Sequence, residues 1–162
     1  MILLSARLGL RPSEVLRLRL QDLDWTNGSV LIRAGKTSRE RLLPLPEDAG
    51  AALASYLRDG RPVSTERAVF LSCGPAHPPI CGNGFMAKLV NRLLRQAGIG
   101  APCSGAYVLR HTLATTMVRS GASFKEVADI LGHGSLTIAG IYTKLDLTSL
   151  AQVALTWPGG AQ

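Results

Sequence analysis

The stretch "SVLIRAGKTSRERLLPLP", residues 29–46, most constrains the fold. It holds two strand-like runs rich in aliphatic residues, 29–33 and 41–45, separated by the polar, glycine-containing "AGKTSRE". Two such runs around a short polar loop predict an antiparallel β-hairpin, with Lys36 at or near its tip. Asn27-Gly28 just before it is a turn signal that adds a short earlier strand. On both sides of this region the apolar period is helical. One small antiparallel sheet in a mainly helical chain is therefore expected, an α+β class with the sheet at one place only.

The helical segments have punctuation of their own. Ile2 to Leu8 suits a buried helix. "GLRPSE" interrupts it, and Pro12, Ser13 and Glu14 open a second helix expected to run to about residue 20. "EDAGAALASYLRD" (47–59) predicts a third. The Gly-, Pro- and Ser-rich segment 60–84 is expected as a long loop with a short extended piece at 69–71. Helices are expected at about 83–97, 105–120, 123–131 and 135–143, with Gly98, Gly121 and Gly132 where C-terminal caps fall. A last amphipathic stretch, "LTSLAQVALTW", covers 147–157, and 158–162 is a tail expected to fray.

At 162 residues with 46% apolar side chains, the chain can build one real core. Its 18 Lys+Arg against 11 Asp+Glu, a formal charge of +7, is the footprint of a polyanion binder, nucleic acid before anionic membrane. No apolar run is long enough to span a bilayer. Cys73, Cys81 and Cys103 form no CxxC pair, so neither a disulfide framework nor a zinc site is implied, and reduced thiols suit a cytoplasmic protein. There is no acidic cluster with metal-ligand spacing and no phosphate-cradling glycine loop. No cofactor or metal is expected.

Five polar residues sit at element ends: Arg11 before a helix start, Lys36 on the hairpin, Arg110 in an apolar helix, His133 at a Gly-His corner, and Tyr142. Each has an ordinary reading alone. Arg11 could cap a helix, Lys36 could be solvated, His133 could be a hydrogen-bonded corner, and Tyr142 could be core. Arg110 is the least easily dismissed, because buried arginine is rare unless paired. Together they suit chemistry at a phosphodiester. Two guanidiniums grip its oxygens and stabilise charge on pentacoordinate phosphorus. An ammonium protonates a leaving alkoxide. An imidazole donates to a non-bridging oxygen, and a phenol is the nucleophile.

The order of these segments resembles the catalytic domain of the tyrosine recombinases, the phage-integrase and Xer-type family. "LGLRPSEVLRLRLQDLDW" is similar to that family's first arginine box, with Glu14 in its acidic position. "LIRAGKTSRERLLPLP" resembles its hairpin lysine segment. "AYVLRHTLATTMVRSGASFKEVADILGHGSLTIAGIYTKLD" resembles its second box. The likeness runs from about residue 2 to residue 157. It implies a recombinase or integrase of mobile-element type that cuts and rejoins double-stranded DNA through a 3′-phosphotyrosine. The implied catalytic set is Arg11, Lys36, Tyr107, Arg110, His133 and Tyr142, with Glu14 and His111 in support.

The resemblance also implies other recombinase protomers as partners, with exchange of the terminal helix 147–157 between them. Two departures stand out. Tyr107 occupies a position that is usually histidine in the family's His-x-x-Arg box. The family's N-terminal DNA-clamping domain is absent, so 1–157 is expected to be a catalytic domain truncated within its first helix. Three other readings are a helix-turn-helix DNA-binding module over "SFKEVADILGHGSLTIAGIY", a type IB topoisomerase, and a remnant that binds DNA without cutting it.

Overall fold

The computed structural model describes residues 1–35, 39–99 and 105–132. Its elements are α1 (Ile2–Leu8), α2 (Pro12–Arg17), a 3-10 turn (Leu20–Asp22), β1 (Leu23–Asp24), β2 (Ser29–Ile32), β3 (Arg41–Pro44), α3 (Glu47–Ser55), α4 (Asn83–Gln96), α5 (Tyr107–Arg119) and α6 (Phe124–Leu131). The three strands form one antiparallel sheet in the order β1-β2-β3. Val30 pairs with Leu43, and Ile32 with Arg41. The expected class, mainly helical with one small antiparallel sheet, is the class observed.

Apolar side chains from nearly every element meet in one core. Leu4 and Leu8 of α1, Val15 and Leu16 of α2, Val30, Ile32 and Leu43 of the sheet, and Met86 and Val90 of α4 are all buried in it. α5 lies along α1, and α6 packs on α5 through a separate small cluster of Ala114, Val127 and Leu131. Ser123 starts α6 by the expected reciprocal cap: its backbone N–H and hydroxyl both donate to Glu126, and its hydroxyl accepts from the Glu126 N–H. Gly132 ends α6 at φ 63, ψ 45, in the left-handed region.

Three expectations change in extent. The second helix stops at Arg17 and does not reach residue 20. Leu18 turns extended (ψ 134), and its carbonyl accepts from Val69 N–H while Leu20 N–H donates to Arg67. Backbone partners about fifty residues away displace the last helical turn. The same pairing defines the extended piece near 69–71, which forms isolated bridges, Arg19 with Ala68 and Leu71 with Pro79, and not a strand. The third helix continues past Ser55 as a wider π turn, Tyr56–Gly60, closed by Arg61 N–H to the Tyr56 carbonyl. The expected helix at 135–143, the terminal stretch 147–157 and the tail lie outside the described residues. Among the described residues, no helix is long and apolar enough to cross a membrane.

Candidate active site

The C-terminal end of α6 organises the site. The last carbonyls of a helix lack partners within it, and they carry the negative end of the helix dipole. Here three successive carbonyls accept from three arginines, each from a different element. Ile130 takes Arg41 Nε at 2.9 Å. Leu131 takes Arg110 Nη2 at 2.7 Å. Gly132 receives Arg11 Nη1 and Nη2 at 3.5 and 3.4 Å, at the long end of the hydrogen-bond range.

Arg110 lies on α5 and is 3% exposed. Its Nη1 also donates to the Gly9 carbonyl, so it ties the end of α1 to the end of α6. That close approach needs Gly9. A Cβ there, already at φ 62, would run into the side chains of Leu131 and Leu113. A buried arginine in an apolar helix was the strongest single signal in the sequence, and it is paired as such a residue must be.

Arg11 is the N-cap of α2, with extended backbone (φ −65, ψ 149) and Pro12 following. Glu14, three residues on, accepts the Arg11 backbone N–H at 2.8 Å and Arg11 Nη1 at 3.0 Å. Its carboxylate is buried, with 3% of the side chain exposed. Burial alone pushes this carboxyl up. The Arg41 fork, the Arg11 backbone N–H and the two positive charges outweigh it and hold Glu14 below the usual carboxylate range. Glu14 is therefore the counter-ion of a cluster that still carries excess positive charge.

Arg41, which sequence reasoning did not single out, completes this cluster. Its Nη1 and Nη2 donate to the two Glu14 oxygens at 3.1 and 3.0 Å. The sequence alone does not give its phase, since Leu42 and Leu43 are both apolar. On β3 the buried residue is Leu43, and Arg41 shares its phase while Leu42 faces out. An arginine on the inward phase of a strand demands a buried partner.

Of the other expected site residues, Tyr107 begins α5 and is 54% exposed. His111 lies one turn further along α5 and is half-buried. Lys36, His133 and Tyr142 lie outside the described residues. The structure thus brings together Arg11, Glu14 and Arg110, and adds Arg41. Among the described residues, no group of three or more His, Cys, Asp or Glu side chains is placed to hold a metal.

The sequence and the fold have known counterparts. The model of the phage integrase family matches residues 1–148, so the chain belongs to that family. It is 44% identical to a putative integrase/recombinase, y4rA, of Sinorhizobium fredii, covering all of this chain and 39% of that protein. It is 34% identical to tyrosine recombinase XerC of Oceanobacillus iheyensis, over 83% of this chain and 45% of XerC. Among solved structures it superposes on XerA recombinase with a TM-score of 0.77 at 29% identity, covering 93% of this chain and 54% of that one. It superposes equally, at 27% identity, on XerH recombinase bound to a palindromic difH substrate in a post-cleavage complex, covering 96% of this chain and 44% of that one. The chain spans about two-fifths of the length of the first curated relatives it matches.

Proposed function

We propose that this chain is the catalytic part of a site-specific DNA recombinase that cuts and rejoins strands through a 3′-phosphotyrosine at Tyr142. The observation that carries the reading is the gathering of Arg11, Arg41 and Arg110 on the carbonyl end of α6, with one buried carboxylate among them. That helix end leads through Gly132 directly to His133. A cationic surface held by fixed bonds suits a phosphodiester whose charge grows during attack. The capture of XerH with its DNA after cleavage supports the same chemistry in a relative.

In the proposed step the Tyr142 phenol oxygen attacks phosphorus, and the bond from phosphorus to the 5′-oxygen breaks. Lys36 gives its proton to that oxygen, and the phenol proton leaves by way of His133. Arg11 and Arg110 bind the non-bridging oxygens. A 5′-hydroxyl from a partner strand then attacks the phosphotyrosine, and the phenol leaves. One ester replaces another at each stage, so the sequence needs no outside energy source. Double-stranded DNA and further recombinase protomers are the partners in this reading, with 147–157 available for exchange between protomers.

Tyr107 favours a second reading, a catalytically impaired recombinase remnant that binds DNA without cutting it. A half-exposed phenol stands where the family box usually has imidazole, and a neutral phenol is the poorer proton acceptor near pH 7. Both readings meet in one experiment. The chain is incubated with a pool of nicked DNA duplexes in which cleavage traps the covalent intermediate. Adduct that is lost in Tyr142→Phe, with the mobility shift of free duplex kept, is the expected result. Adduct that persists in the Phe variant places the nucleophile elsewhere. A mobility shift with no adduct from either protein supports the second reading.

A further inference from the structure

Arg41 does more than balance charge. Its planar fork takes both oxygens of Glu14 and so fixes the plane of the carboxylate. That carboxylate in turn holds both the backbone N–H and the head group of Arg11. The remaining edge of Arg41 donates to Ile130 on the last turn of α6. Its guanidinium also lies against Gly132: a Cβ there would stand 2.5 Å from Nη1, 2.8 Å from Cζ and 3.2 Å from Nε. Gly132 is thus held to glycine twice, by its left-handed backbone and by the arginine pressed on it. One side chain, 9% exposed, ties together the strand of the hairpin, the start of α2 and the end of α6.

We infer that Arg41 is a positioning residue: it holds Arg11, through Glu14, in the orientation from which Arg11 grips a phosphodiester. The grip itself rests on the function proposed above; the positioning does not. Lysine cannot substitute fully, because a single ammonium cannot bridge both carboxylate oxygens and the Ile130 carbonyl in one plane.

The test is side-chain nuclear magnetic resonance of the full chain, comparing the wild type with Arg41→Lys and Arg41→Gln. The readouts are the Arg11 guanidinium Nη–H signals, which report its bonds to Glu14 and Gly132, and the pH titration of the Glu14 carboxyl, whose two charged partners are Arg11 and Arg41. In Arg41→Gln the Arg11 signal is expected to move to the position of solvent-exposed arginines or to be lost to exchange. The Glu14 titration moves upward, while the Arg110 signal and the α3 amides stay in place. Arg41→Lys is expected to shift Glu14 less and still move Arg11, because it keeps the charge and loses the fork. An Arg11 signal unchanged in either variant overturns the inference, since loss of a merely structural contact would lower stability without touching Arg11. If Arg41→Gln does not fold, Arg41→Lys decides by the same signal. Neither measurement needs strand cleavage, so failure of the Tyr142 experiment leaves this one readable.

Discussion

Two short turns of this chain, Arg11-Pro-Ser-Glu14 and Arg19-Leu-Gln-Asp22, share one local plan. In each, an arginine precedes a helical turn and an acid three residues later accepts its backbone N–H, at 2.8 and 2.9 Å. Both acids are buried, with 3% and 2% of their side chains exposed. They differ in the cations that meet them. Asp22 pairs with Arg33, which is half in water at 51% exposure. Glu14 pairs with Arg11 and Arg41, at 16% and 9%. A cation that already faces solvent is rehydrated when its acid is removed. One enclosed by protein is left as an uncompensated charge. The same capping acid therefore staples the fold in one place and keys a cationic cluster in the other.

Removing the acids should break this comparison most sharply. Glu14→Ala strands two enclosed guanidiniums and is expected to lower the unfolding free energy by about 3–5 kcal/mol, read by urea denaturation. A loss no greater than that of Asp22→Ala would show that depth of the cation does not matter here. Next in size is the response to acid. Because Glu14 titrates lower in the folded chain than in the unfolded one, its contribution is complete above the unfolded carboxylate range. It is lost as pH falls through the folded value. The wild type should thus lose stability on acidification more steeply than Glu14→Gln. Asp24 and Glu126, also held low, are present in both proteins, so the difference between the two curves isolates Glu14. The smallest effect is expected from Asp22→Ala. It loses a cap and a pairing that water can replace, about 1–2 kcal/mol by the same denaturation.

Much of the fold was legible because its signals are local. The hairpin showed in two aliphatic runs around a polar loop, and the Asn27-Gly28 turn signal matches the short strand Leu23–Asp24 that precedes it. Pro12 with Glu14, and Ser123 with Glu126, marked helix starts within four residues. The end of α2 was not legible, because Leu18 and Leu20 pair with residues 67–69, which no local pattern announces. Of the candidate site, Arg110 could be suspected from its apolar neighbours alone. Arg41 could not be distinguished from a strand-edge arginine until its inward phase had a partner.

The sequence by itself determined the hairpin, the capped starts of α2 and α6, and the presence of an arginine where only a paired one could be buried. These depend on residues within a few positions of one another, where spacing along the chain is spacing in space. Tertiary structure alone decided which cations share Glu14 and which carbonyls of α6 they reach. Arg41 meets Glu14 across 27 residues and Ile130 across 89, and Arg11 meets Gly132 across 121. Separations of that size carry no local signal. The core of α1, α2 and the sheet brings them together, and the open carbonyls at the end of α6 give the arginines a common place to bind.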